Sequence, residues 1–578
     1  MVAEKIIERE SEGWQRLPEQ WPDALRRVLA ARGIQTETDL RYELAELPKP
    51  DLMLGMSEAV NLLVEAVTQQ WHIMIVADFD ADGATSCVVA MRSLQMMGAG
   101  RVDYIVPNRF KHGYGLTPEL LADIPRDQQP DLLITVDNGI ASISGVDAAH
   151  DRGMKVLVTD HHLPGEELPR ADAIVNPNQL GDTFPSKNLA GVGVCFYLML
   201  GLRQQLRQQA WFQENNLTEP KLNVLLDLVA LGTVADVVPL DKLNRTLVAL
   251  GLARIQANMS CPGIAALIKV AGRDASSLAA PDLGFSVAPR LNASGRLEDM
   301  TTGINTLLST DIITADQQAQ VLDDINKQRR VVEQGMQEDA LEMLQGMSFD
   351  SDNLPLGYCL YNDQWHQGVI GLLASRIKER QHRPVIAFAP GQEGEIKGSG
   401  RSIPGVHIRD VLAIVSSQAP ELLTKFGGHA MAAGLTIAKD DLARFEQLFL
   451  TALKQTIDPN VLHKELISDG TLAANEISLD LAGQLPMAAP WGQAFPEPQF
   501  HGEFMIVDVR KVGQQQDHLR LTVDAGEGKL VTAMAFRQQQ PEWLKQGVKA
   551  LLRYRLAVND FRQQRTVQLL VDNLLPVD

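Results

Sequence analysis

The stretch "IMIVADFDADGATS", residues 73–86, decides how this chain is read. Five uncharged residues, Ile73 to Ala77, run into three aspartates at alternate positions, Asp78, Asp80 and Asp82. A continuous apolar run of this length has the character of a strand buried on both faces. Carboxylates crowded at the end of such a strand repel one another and lose hydration. The pattern therefore calls for a bound positive charge.

The pattern recurs. Further apolar runs lie at 102–107, 132–136, 155–159 and 173–177, with helical stretches such as "CVVAMRSLQMMG" between several of them. Strands alternating with helices predict a parallel, doubly covered α/β sheet. The strand ending at Val136 delivers Asp137, and the strand ending at Thr159 delivers Asp160, His161 and His162. Asp236 follows another apolar run, "VLLDLVALGTVAD". Ligands of open parallel sheets bind at the carboxyl ends of the strands, so these groups share one edge. A single aspartate there is more often a turn or helix cap. Three strand ends carrying five aspartates and two histidines exceed what capping needs. Oxygen-rich sites with one or two imidazoles suit Mn²⁺ or Mg²⁺, and two such ions about 3.5–4 Å apart clamp a phosphate ester for in-line attack.

The chain of 578 residues is too long for one core. Its four cysteines are scattered with no CxxC pair, which argues against a zinc ribbon or disulfide framework and fits a reducing cytoplasm. No apolar run approaches a membrane span, and acids stand where a signal peptide has basic residues. The net charge of −19 speaks against a nucleic-acid partner taken alone. Residues 501–565, however, hold 11 Lys and Arg against 7 Asp and Glu.

After the sheet comes a mostly helical region. It closes in a polar periodic stretch from about 314 to 347, roughly 50 Å long as one helix, read as a bundle helix or, at least equally, as a connector between two domains. Strand character resumes in "LGYCLYN", "PVIAFAP" and "AAGLTIA". Residues 465–500 read as loop, and five short alternating strands follow, the pattern of a small barrel such as an OB-fold. The expected divisions are a helical segment 1–45, a catalytic α/β domain 46–300, a connecting helix 301–347, a second α/β domain 348–462 and an OB-like domain 463–578.

"DFDADG", "VDNG", "DHH" and "GTVADVVPL", in this order, resemble the DHH phosphoesterase superfamily. "PNRFKHGYG" (107–115), "NLAGVGVCF" (188–196), "APRLNASGRL" (288–297), "NKQRR" (326–330), "WHQGVIGLLASR" (365–376), "GSGRS" (398–402) and "FGGHAMAAG" (426–434) narrow the resemblance to the RecJ family of single-strand-specific 5′→3′ DNA exonucleases. The resemblance implies a DHH domain, a DHHA1-type domain that closes over the substrate, and a C-terminal OB-fold. It places metal ligands at Asp80, Asp82, Asp137 (bridging), His161 and Asp236, with His162 at the catalytic centre. Val76 stands where pyrophosphate-cleaving relatives carry a histidine, and Asp78 is an additional carboxylate: either it replaces that histidine in the first metal site or that ion binds weakly.

Substrate contacts are expected from Arg109 and Arg290, from Ser399 and Arg401 in a Gly-rich turn, and from Gly428 and His429. The turns offer backbone N–H groups to an anion. Trp365 and His366 are read as base contacts or, equally, as core residues. Arg510, Lys511, Arg520, Arg553, Arg555, Arg562 and Arg565, interleaved with Phe504, Phe536, Tyr554 and Phe561, fit sequence-neutral binding of a single strand. About half of these aromatics fill the barrel, because strand residues alternate in and out. The expected function is a monomeric, Mn²⁺- or Mg²⁺-dependent exonuclease that releases 5′ mononucleotides from single-stranded DNA in repair and recombination. By analogy it works with a helicase and a single-strand-binding protein. The alternatives are a small-substrate DHH phosphodiesterase, against which the barrel counts, and a non-catalytic DNA-binding scaffold, against which the intact acid set counts.

Overall fold

The computed structural model describes residues 4–346, 355–392, 394–526, 528–561 and 564–577. The chain forms two compact units, one of Glu8–Asp323 with Ser468–Asp578 and one of Met1–Ile7 with Asp324–Ile467. It opens with strand β1 (Glu4–Glu8), where only helices were expected, and the helix Asp23–Ala30 follows.

The larger unit is built on β2 (Ile73–Ala77), β3 (Val102–Ile105), β4 (Leu132–Val136), β5 (Lys155–Thr159) and β6 (Ala173–Val175), all parallel, in the order β3-β2-β4-β5-β6. Every residue of β2 and β4 is buried. Successive side chains feed different cores: Ile73, Ile75 and Ala77 join the main core, Met74 and Val76 a second cluster with Val156 and Val158. The chain runs outward from β2 to β3 and returns to β4 on the other side. The crevice between β2 and β4 is thus the switch point, where a ligand belongs.

The smaller unit holds a mixed sheet of β7 (Tyr358–Tyr361), β8 (Val385–Pro390), β9 (Glu395–Arg401), β10 (Lys425–Gly428) and β11 (Ala432–Ala438), ordered β10-β11-β9-β8-β7. The helix Ile312–Gly346 runs through Gly335 without interruption. β12 (Lys464–Ser468) pairs with β1.

The expected loop at 465–500 holds this strand's end, a helix at Leu479–Gln484 and a buried Trp491. The Trp491 and Phe495 rings stack 5.3 Å apart. Arg32 lies 5.3 Å over the first ring and Arg245 4.4 Å over the second. From Ser468 onward the segment therefore belongs to the larger unit's core.

Beyond it, β13 (Phe500–Val512), β14 (His518–Asp524), β15 (Leu530–Ala535), β16 (Lys549–Phe561) and β17 (Gln564–Pro576) form a closed barrel, sealed by parallel pairing of β15 with β17. Among the described residues no helix is long and apolar enough to cross a membrane.

Candidate active site

The carboxyl ends of β2, β4 and β5 bring the predicted acids and histidines together. Asp78, Asp80 and Asp137 offer oxygens within 4.8 Å of one another. The same spacing relates Asp82, His161 and Asp236, and relates Asp137, His161 and His162. His161 Nε2 lies 3.1 Å from Asp137 Oδ1 and 3.4 Å from Asp236 Oδ2, so it joins the groups.

Each position has a local cause. Asp80 caps the helix Ala81–Met96, its Oδ1 accepting the Gly83 N–H at 3.0 Å. Asp82 lies two residues further on, in the helix's first turn, and accepts the Gly191 and Val192 N–H groups at 2.7 and 2.9 Å. These are the first donors of the helix Gly191–Gln208, whose N-terminal dipole favours an anion. A Cβ built on Gly191 would lie 2.5 Å from the Asp137 Cβ, so that glycine makes room for the acid. Asp137 itself has left-handed backbone, φ 61°. Asn138 fixes it by donating to the carbonyls of Val76 (3.0 Å) and Val136 (2.8 Å), tying β2 to β4. Asp236 ends the helix Leu226–Ala235.

Asp160 does different work from its neighbours. It is buried and accepts N–H groups from Ile140 (2.9 Å), His161 (2.7 Å) and His162 (3.1 Å), besides His162 Nδ1 at 2.7 Å. It therefore orients His162, a role absent from the sequence reading. Asn292 and Gly295 were likewise missed. Asn292 Oδ1 accepts the Ala81 N–H at 2.8 Å, and a Cβ on Gly295 would lie 1.8 Å from the Phe79 carbonyl oxygen. The motif 288–297 thus holds the acidic loop in place.

The electrostatics show what the cluster lacks. Burial, then the charge of Asp80, pushes Asp82 up to about 7. Burial and neighbouring aspartates push Asp78, Asp137 and Asp236 well above the carboxylate range. Burial acts on Asp160 in the same sense, but the hydrogen bond and charge of His162 bring it below its ordinary value. Burial works against a charge on His162, yet the bond and charge of Asp160 raise it to about 9. Asp78 Oδ1 and Asp137 Oδ1 are buried and accept no hydrogen bond. Buried carboxylate oxygens with nothing to bond, joined by imidazole, fit a hard divalent cation such as Mn²⁺ or Mg²⁺.

Three family descriptions match the chain: "DHH family, N-terminal domain" over residues 72–233, "DHHA1 domain" over 355–457 and "RecJ OB domain" over 468–573. A Dickeya dadantii protein named single-stranded-DNA-specific exonuclease RecJ is 50% identical over 563 residues, 97% of each chain. Its Escherichia coli namesake is 48% identical over the same shares. The chain belongs to the RecJ family. A crystal structure of RecJ in complex with Mn²⁺ from Thermus thermophilus superposes with a TM-score of 0.81 at 27% identity, over 100% of this chain and 80% of that one.

The other residues expected from the RecJ resemblance fall into two groups. Arg109 faces the site: its guanidinium lies 4.1 Å over the Phe79 ring. Burial lowers its pKa, and the Asp78 and Asp80 charges oppose that. Tyr114, which sequence reasoning missed, places its hydroxyl 3.2 Å from the Asp137 carbonyl and stands edge-on to His162 at 5.8 Å. Arg290 does not face substrate, which corrects the expectation. It is 8% exposed, pairs with Asp323 at 2.7 Å, and donates to the carbonyls of Ser286 and Val270. A buried guanidinium needs a buried carboxylate, and that pairing consumes it.

In the smaller unit, "GSGRS" is strand β9 and not a turn. Its backbone is bonded to β8 on one side and β11 on the other, so it cannot form an anion nest. Gly398 and Gly400 are there for packing: a Cβ would meet Phe388 at 2.6 Å or Ile408 at 2.7 Å. Ser399 and Arg401 share the opposite face, Arg401 Nη1 donating to Ser399 Oγ at 3.0 Å. A Cβ on Gly371 would lie 2.8 Å from Arg401 Nη2, which places this pair at the N-terminus of the helix Ile370–Gln381. The arrangement still suits an anion, through side chains and a helix end. His366 Nδ1 accepts the Gly368 N–H at 3.1 Å in the loop before that helix. Trp365 is 3% exposed and donates to Asp339 at 3.2 Å; its faces are packed and unavailable to a base. Gly428 ends β10, and the exposed His429 lies in the hairpin to β11, its N–H donating to Ala432 at 2.8 Å. "NKQRR" is a packing clamp: Glu333 binds Arg329 on its own helix and Arg376 at 3.0 Å.

On the barrel, Phe504 and Tyr554 are interior, while Phe536 is exposed and edge-on to His518 at 5.3 Å. Several expected cations are spent internally. Arg510 pairs with Asp508 at 2.6 Å, and Arg555 pairs with Glu497 and Asp572 at 3.3 and 3.4 Å. Arg553 donates to Asn573 at 3.0 Å and to Gln499. Lys511, Arg520 and Arg565 are exposed. Arg562 and the Phe561 side chain lie outside the described residues.

Proposed function

We propose that this chain is a divalent-metal-dependent exonuclease that degrades single-stranded DNA from its 5′ end and releases 5′ mononucleotides. The observation that carries the reading is the convergence of Asp78, Asp80, Asp82, Asp137, His161 and Asp236 at the sheet's switch point, with one buried oxygen each on Asp78 and Asp137 that accepts no hydrogen bond. The complete acid set in a RecJ-family chain counts against a non-catalytic scaffold. The closed barrel counts against a small-substrate diesterase.

Two groups would supply ligands, Asp78 with Asp80, and Asp82 with His161 and Asp236. Asp137 is within reach of Asp78, Asp80 and His161 and would take the bridging role that the family likeness implies. Mn²⁺ or Mg²⁺ bound there would activate water and neutralise charge developing on the phosphate. The chain's own groups do the rest. His162, held through Nδ1 by Asp160, is placed to hydrogen-bond the phosphate. Arg109 adds a fixed positive charge, immobilised on Phe79. In the smaller unit, Ser399 and Arg401 are suited to a phosphate of the strand.

Direction of attack, a monomeric state, and cooperation with a helicase and a single-strand-binding protein belong to the same proposal and rest on the family likeness. The test is Mn²⁺-dependent release of mononucleotides from a 5′-phosphorylated single strand, with a strand blocked at each end in turn. Asp137→Ala should abolish release while strand binding survives. Full activity in a folded Asp137→Ala protein would remove the bridging assignment.

A further inference from the structure

The residues Leu283–Val287 form a π-helical turn just before the helix Ala288–Leu297. Single π turns are rare and cluster at functional sites. This one carries Phe285, which is 79% exposed. Its neighbours Leu283 and Val287 are fully buried, so the turn is anchored while one large aromatic is held in solvent.

The anchoring is unusually complete. Arg273 Nε donates to Ser286 Oγ at 3.1 Å and pairs with Asp282 at 3.3 Å. Arg290 donates to the Ser286 carbonyl while paired with Asp323. Gly284 packs on the helix that ends in Asp236: a Cβ there would lie 3.2 Å from Val234 Cγ1. Val234 is two residues before Asp236, which puts the π turn beside the acid cluster.

The residue after Asp236 is also unusual. Val237 is 62% exposed and has φ 62°, a left-handed conformation that a β-branched side chain adopts only under constraint. A scattered exposed apolar residue needs no explanation. Here one stands on a strained backbone next to a site acid, and the other on a pinned π turn packed against the helix that ends in that acid.

We propose that Phe285 is a stacking platform for a nucleobase of the single strand whose phosphate occupies the acid cluster. The inference rests on the single-strand nuclease reading and adds a specificity-determining residue to it. A cation site holds phosphates and leaves the bases to find apolar faces. An aromatic face accepts any base, because every base has a π face. A base stacked within a duplex has no free face to offer, so the platform favours a strand that is already unstacked.

The test uses the full chain with Mn²⁺ and two 5′-phosphorylated strands, one complete and one carrying abasic residues through its 5′-terminal segment. Wild type should cleave the abasic strand with kcat/KM about tenfold lower, mostly through KM, the scale of one lost base–aromatic stack. Phe285→Ala should lose about tenfold on the complete strand and nothing further on the abasic one, and Phe285→Tyr should restore the difference. Equal losses on both strands, or no loss on either, would overturn the platform. Phe285→Trp gives a reading independent of turnover and of the alanine variant's folding: without metal, its emission should respond to the complete strand and not to the abasic one. An equal response overturns the platform. If wild type releases no mononucleotide from either strand, the nuclease reading fails, and the tryptophan signal still decides the platform.

Discussion

Arg290→Met separates a structural arginine from a substrate-binding one. Its side chain is 9% exposed, as is that of its partner Asp323, and the two charged groups lie 2.7 Å apart. Methionine keeps much of the volume and removes the charge, the contact to Asp323 and the bonds to the Ser286 and Val270 carbonyls. Breaking a buried pair by removing one partner costs about 3–5 kcal/mol. Large domains lose about 2 °C of melting temperature per kcal/mol, so the midpoint should fall by about 6–10 °C. A lost phosphate contact would have another signature: about 1.5–3 kcal/mol of binding, seen as a KM raised at least tenfold, with the melting midpoint unchanged. Differential scanning calorimetry and steady-state kinetics well below the transition give both numbers. The double variant Arg290→Met, Asp323→Leu should recover much of the stability, because an apolar pair replaces the stranded charge. An unchanged midpoint with a raised KM in Arg290→Met would refute the structural assignment.

Gly191→Ala should reduce turnover by about two orders of magnitude, because its Cβ falls 2.5 Å from the Asp137 Cβ and must displace that acid; isothermal titration with Mn²⁺ should show weaker binding. Chelating the metal should lower the melting temperature and restoring it should reverse the change, since an ion at 100 times its Kd adds about 2.7 kcal/mol to the folded state; a midpoint indifferent to EDTA would contradict the charge-relief argument. On the barrel, Arg520→Ala should reduce the slope of log affinity against log salt by about 0.7, the value for one phosphate contact to a single strand. Arg510→Ala should change it less, because Arg510 is already paired with Asp508 at 2.6 Å.

The parallel sheet was legible because burial on both faces makes its strands near-continuous apolar runs. The runs "IMIVA", "LLITV" and "KVLVT" coincide with β2, β4 and β5 residue for residue. β9 was misread because "EIKGSGR" has glycine where other strands have apolar side chains. Its alternation was present all the same: Ile396, Gly398 and Gly400 inward, Lys397, Ser399 and Arg401 outward. Glycine faces inward there because neighbouring Phe388 and Ile408 already fill the space, which local sequence does not show. Arg290 was misassigned for a related reason. An arginine beside a glycine-bearing motif looks like a phosphate ligand until its buried partner Asp323, on another helix, is known.

The aspartates were legible for the opposite reason. Their placement conflicts with local preference, and only a ligand resolves the conflict. Asp160 shows the limit of that logic. It sits at the same strand edge and is as buried as Asp82, yet its oxygens are filled by three backbone N–H groups and a histidine. What separates an orienting acid from a metal-seeking one is therefore the number of donors already in place, and burial or strand position does not supply it. By that measure Asp78 and Asp137, each with a buried oxygen that accepts nothing, have the strongest demand for a cation. Asp82, satisfied by two helix N–H groups, is held in place before any ion arrives. The site thus combines acids fixed by the scaffold with acids that only a metal can satisfy. That division lets a rigid sheet edge present a preformed site whose charge stays unbalanced until the metal binds.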